Sequence, residues 1–112
     1  MKTKVIHPDG RVEDKEFDWN KDFEAVQREV GGDVEFIRLA AGVYASLNEN
    51  GKAEGLPPNP LATQVCEELG LNILPGDVIV GVMILSGMVG RDITKRGFDA
   101  LARAQEKLGI KV

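Results

Sequence analysis

Cysteine and histidine are almost missing from this chain, which has Cys66 and His7 as its only examples. A lone thiol excludes an internal disulfide, and a reducing cytoplasm is the simplest setting for such a chain. One Cys and one His cannot complete a four-ligand zinc site without carboxylates, and no clustered His/Cys spacing occurs. No metal or other cofactor is therefore expected. Long apolar runs are also missing. The longest, Val78 to Leu85, falls far short of the roughly 20 residues that cross a bilayer, and no charged leader precedes it, so neither a membrane partner nor a targeting segment is expected. An excess of positive charge is missing too. The net charge of −4 and pI near 5.0 argue against general nucleic-acid binding, since duplex affinity comes mostly from neutralising phosphates.

What remains is the composition of one small α+β domain spanning residues 1–112. At 43% hydrophobic and 29% charged residues, it is too apolar for a disordered chain and too charged for a membrane one. The organising stretch is Asn48 to Leu69, which combines a turn signal, a proline loop and a helix start. Two hairpins are predicted, over 2–17 and 33–56. The first turns at His7-Pro8-Asp9-Gly10, and its charged return strand suits a sheet edge. In the second, strands Asp33–Leu39 and Val43–Glu49 flank Ala40-Ala41-Gly42, and Asn50-Gly51 is the signature of a two-residue type I′ turn into a short return over Lys52–Glu54. After a turn at Leu74-Pro75-Gly76-Asp77, the run 78–85 reads as an unbroken central strand covered on both faces, with Gly81 leaving room for a neighbouring helix.

Three helices are predicted. One covers 21–30, capped by Asn20, stopped by Gly31-Gly32 and anchored by Phe17, Trp19 and Phe23. A second covers 60–69, with Asn59 as N-cap and Pro60 at the first helical position. A third covers 95–108, capped by Thr94, with Ile93 and Phe98 placed to form a hydrophobic staple.

The motifs Val30-Gly31-Gly32, Asn48-Glu49-Asn50-Gly51-Lys52, Gly55-Leu56-Pro57-Pro58-Asn59 with Ala62, and Gly76-Asp77-Val78-Ile79-Val80-Gly81 carry a resemblance. In order and spacing they resemble a family of short phage and conjugative-element proteins with a domain of unknown function. The likeness runs from the first hairpin to about Leu85, and the segment after Gly87 departs from it. It implies a mobile-element accessory protein with a small sheet and packed helices. It carries over no catalytic residue.

One local rule is broken at the third helix. Lys95 and Arg96 occupy its first turn and Arg91 precedes it, where the helix dipole disfavours cations by about 0.3 to 1 kcal/mol each. A phosphate or carboxylate at that end would compensate, drawing on free backbone N–H groups and the basic side chains together. Met88 and Val89 would then cover an apolar part of the guest. The plainer alternative is a solvated basic face with Asp92 and Asp99 as partners.

No P-loop or dinucleotide fingerprint occurs. His7 reads as an incidental strand-end residue and Cys66 as a buried apolar one. The leading functional expectation is thus a non-catalytic binder that sequesters a small anionic, nucleotide-like ligand in the host cytoplasm, for example in counter-defence. The alternative is a module that inhibits or adapts a host protein through the acidic residues Glu13, Asp14, Glu16 and Asp18. An enzyme of unknown class is a third reading, and a free sheet edge offers a route to homo-oligomers.

Overall fold

The computed structural model describes residues 1–71 and 77–110. Five strands, β1 (Lys2–Ile6), β2 (Val12–Glu16), β3 (Val34–Ala40), β4 (Val43–Asn48) and β5 (Met83–Ser86), form one antiparallel sheet in the order β2-β1-β5-β4-β3. Helices α1 (Phe23–Val30), α2 (Pro60–Glu68) and α3 (Lys95–Lys107) pack on it. The fold is α+β, with β2 at an edge and β5 at the centre, as the charge of the first and the apolarity of the second require. Among the described residues no helix is long and apolar enough to cross a membrane.

Strand alternation sorts the side chains onto two unequal faces. Ile6, Val43, Ala45, Leu47, Met83 and Leu85 point toward α2 and α3, where they join Leu61, Val65, Cys66, Leu101 and Ala104 in the main core. Val5 and Ile84 point the other way and are covered by Phe17, Val26 and Val30, so that the eight-residue α1 alone shields that side. Beside it Trp19, Phe23 and Phe36 make an aromatic group, with Trp19 5.1 Å from each partner ring.

Asn59 joins the layers. Its side-chain oxygen caps α2 by accepting from the Ala62 N–H at 3.0 Å, and its amide donates to the carbonyls of Ile6 (3.0 Å) and Gly81 (2.8 Å). It is fully buried. Every hydrogen of its amide group is therefore used inside the protein, which leaves none to offer a ligand.

Three expectations are corrected. The run 78–85 is not one strand: Gly81 has φ +73°, and a side chain there would come within 2.8 Å of Leu56. The chain breaks at this point, residues 79–81 pair with the proline loop through Asn59 N–H to Ile79 O (2.7 Å) and Gly81 N–H to Pro57 O (2.8 Å), and the neighbour that Gly81 admits is Leu56 rather than a helix. At Asn50-Gly51 neither residue has positive φ. The Asn48 side chain accepts from the Asn50 N–H at 2.8 Å, and successive turns through Glu54, Gly55 and Leu56 replace the type I′ turn and its return strand. Finally, α1 begins at Phe23 and is capped by Asp22, not Asn20. The turn expected at Leu74-Pro75-Gly76 lies outside the described residues.

Candidate binding cleft at the start of α3

The chain leaves β5 at Ser86 and turns on itself. Gly87 N–H donates to Arg91 O (3.2 Å) and Arg91 N–H to Met88 O (2.7 Å), and Gly87 passes so close to the Asp92 carbonyl that a Cβ there would collide with its oxygen. Asp92 and Ile93 then rejoin β1, with Lys2 N–H donating to Asp92 Oδ1 (2.8 Å) and Ile93 N–H to Lys2 O (2.9 Å). This detour pushes Met88 and Val89 outward, 55% and 42% exposed. It also sets α3 down beside the β1–β2 hairpin. Thr94 caps the helix, its Oγ accepting from the Gly97 N–H at 3.5 Å.

The cations named from the sequence are all exposed. Lys95 bonds along its own helix to Asp99 at 2.8 Å, and Arg96 reaches the Ala41 carbonyl at 3.4 Å. Arg91, Lys95, Arg96, Met88 and Val89 are absent from the lining of four concavities on the described surface. A concavity of about 430 Å³ lies between the β1–β2 hairpin and the start of α3. Ile93 and Phe98 give it apolar walls, and the cross-strand pairs Lys2 with Glu16 and Lys4 with Asp14 give it charge. Phe98 is 43% exposed, with the Lys4 ammonium 5.2 Å from its ring centroid, a cation–π distance. Sequence reasoning missed Lys2, Lys4 and the binding role open to Phe98. Alternation would have placed both lysines on one face, but their meeting with α3 depends on the detour after Ser86.

A larger concavity of about 710 Å³, between Asn48, Lys52 and Val80, is bounded by Leu71 and Asp77, which flank the residues that are not described. No site is assigned to it. Three of the four acidic residues expected to form one stripe are divided between partners. Glu13 meets His7 at 2.6 Å, Asp14 pairs with Lys4, and Asp18 accepts from the Lys21 N–H.

Two further groups were singled out from the sequence. Cys66 is buried on α2, and desolvation pushes its thiol up to about 11, which keeps it protonated and unreactive. His7 is not isolated. Its Nε2 faces Glu13, whose carboxyl the His7 hydrogen bond holds below the usual glutamate range, with Lys15 and Arg11 adding to the effect. Glu29 of α1 reaches the same group and binds the Lys15 ammonium through both oxygens, at 2.9 and 3.0 Å, which raises the Lys15 pKa.

Fold and cleft together define a small α+β protein with a charged, aromatic-walled recess on one side of its sheet. The chain belongs to the family described as a domain of unknown function, DUF3846, whose model matches residues 1–105. Neither a curated protein nor a solved structure matches it.

Proposed function

We propose that this protein is a non-catalytic binder of a small anionic, nucleotide-like molecule, and that the recess beside α3 receives it. One observation carries the reading: the Lys4 ammonium lies 5.2 Å from the centroid of an exposed Phe98 ring, in a concavity of about 430 Å³ that Lys2 also lines. That volume falls within the roughly 300 to 1,000 Å³ of small-molecule sites. A base can stack on the ring while a phosphate displaces Asp14 from Lys4 and draws on Lys2 as well. Arg91, Lys95 and Arg96 then act from outside the recess. They supply positive potential at the helix start that draws the anion in, rather than direct contacts. The resemblance to proteins of phages and conjugative elements supports a setting in the host cytoplasm, where sequestering a nucleotide signal would serve counter-defence.

The test is calorimetric titration of the full chain with ADP, inorganic phosphate and a cyclic dinucleotide. Binding of at least one nucleotide is expected. Lys2→Glu with Lys4→Glu, or Phe98→Ala alone, should weaken it at least tenfold, and Lys95→Glu with Arg96→Glu should weaken it less and mainly at low salt. Absence of binding by all three probes at millimolar concentration, or binding untouched by the Lys2, Lys4 and Phe98 changes, contradicts the reading.

A further inference from the structure

On the opposite face of the sheet, three elements bring three metal-ligating side chains to one place. His7 follows β1, Glu13 lies on β2 and Glu29 lies on α1, and one ligand atom from each falls within 4.8 Å of the other two. The meeting depends on the tertiary fold, because Glu29 joins the hairpin only when α1 is docked. All three side chains are largely shielded, with 15%, 34% and 17% of their surface exposed. The place already attracts a cation. The Lys15 ammonium sits against both oxygens of Glu29, and the Arg11 guanidinium lies 3.6 Å from Glu13.

We propose that His7, Glu13 and Glu29 form a binding site for a first-row divalent ion of the zinc type, with water as the fourth ligand and Lys15 as the internal competitor. Zinc takes both His nitrogen and Glu oxygen as ligands, and three protein ligands with water in the fourth position is the arrangement of zinc centres that keep an open position. The nitrogen donor favours zinc over magnesium or calcium, which prefer oxygen alone. Tetrahedral ligands at about 2.0 to 2.1 Å from zinc stand about 3.3 Å apart. The present spacing reaches that arrangement by small side-chain rotations: His7 Nε2 and Glu13 Oε1 move apart from 2.6 Å, and Glu29 turns inward. The Lys15 ammonium must leave. Its side chain is 38% exposed, so it has a path to solvent. The imidazole binds as the neutral ring through Nε2, with its proton on Nδ1. Because the metal displaces an ion pair already in place, it is held exchangeably rather than as a permanent structural ion. A search for ligands close together in sequence passes over this group, since Glu29 is sixteen residues from Glu13.

The experiment uses the untagged full chain, titrated with Zn²⁺ and, for its visible spectrum, Co²⁺. His7 is the only histidine, so the two imidazole resonances in a ¹⁵N NMR spectrum, Nδ1 and Nε2, both belong to the site. The expected result is one saturable site, a shift of the His7 Nε2 resonance and a tetrahedral Co²⁺ absorption band. His7→Ala and Glu29→Gln should each weaken binding at least tenfold, and Lys15→Met should strengthen it severalfold although it removes an ion pair from the metal-free protein. If the network serves structure alone, Lys15→Met only lowers the melting temperature and brings no gain in affinity. That result, no saturable Zn²⁺ binding below about 1 mM, equal binding of Ca²⁺, or Zn²⁺ binding unchanged by His7→Ala would overturn the proposal.

Discussion

The two faces of the sheet are built on opposite terms. Toward α2 and α3 the strands meet a continuous apolar core, and the polar group at its centre, Asn59, has both amide hydrogens and its oxygen engaged. Toward α1 a single short helix covers a smaller cluster, and the remaining area is filled by half-exposed aromatics and the His7, Glu13, Lys15 and Glu29 network. A thickly covered face needs its polar atoms for its own integrity and has none left for outside chemistry. The thinly covered face, and the rim where α3 runs past the hairpin, are where ionisable groups stay within reach of solvent.

The sharpest way to break this contrast is at Asn59. Asn59→Ala removes a helix cap and strands two carbonyls in the core, so a loss of about 3 to 5 kcal/mol is expected by urea denaturation. A loss under about 1 kcal/mol would show that the two carbonyls find other partners. Truncations within each face come next. Leu61→Ala, which empties a site in the main core, should cost about 3 kcal/mol. Trp19→Ala should cost about 1 to 2 kcal/mol, because that ring keeps part of its surface in water. Equal losses would remove the distinction between thick and thin cover.

A smaller effect is expected where α2 and α3 are clamped by charge. Glu68 accepts from Lys107 at 2.8 Å and from Gln64 at 2.9 Å, with Arg103 at 3.4 Å, and its carboxyl is held below the usual glutamate range, first by Lys107 and then by Gln64. A lowered folded-state pKa contributes stability that is fully present above the unfolded value of about 4.3 and fades as pH falls through the folded value. Glu68→Gln should therefore melt below the parent at pH 7, and the gap should close as the pH falls below about 4. A gap that stays constant across that range would mean packing, not charge, is lost. The smallest effect is expected at Cys66. A thiol pushed up to about 11 inside the core should not react with iodoacetamide until the protein unfolds. Labelling of the native chain at the rate of a free thiol would place it outside the core.

Much of the architecture is legible in the sequence because it rests on local rules. Asn59-Pro60 and Thr94 mark helix starts, and the charged return strand marks an edge. Asn50-Gly51 misleads because the side chain of Asn48 captures the turn, an option that the dipeptide signal does not include. Ile79 to Gly81 look like strand but pair with the proline loop, since Gly81 takes a left-handed conformation against Leu56. Less of the candidate sites is legible. The basic residues at the start of α3 stand out, but the recess is completed by Lys2 and Lys4, some ninety positions earlier. The contact of His7 with Glu13 follows from the hairpin register. Glu29 reaches them only through the docking of α1, which no local pattern reports.

The most direct test of the binding account is amide NMR of the full chain during titration with ADP and, separately, with a cyclic dinucleotide. The account predicts saturable shifts confined to Lys2–Lys4, Asp14–Glu16 and Ile93–Phe98, with Gly31 and Gly32 unmoved. Shifts centred on any other part of the surface, or none at millimolar nucleotide, would contradict it.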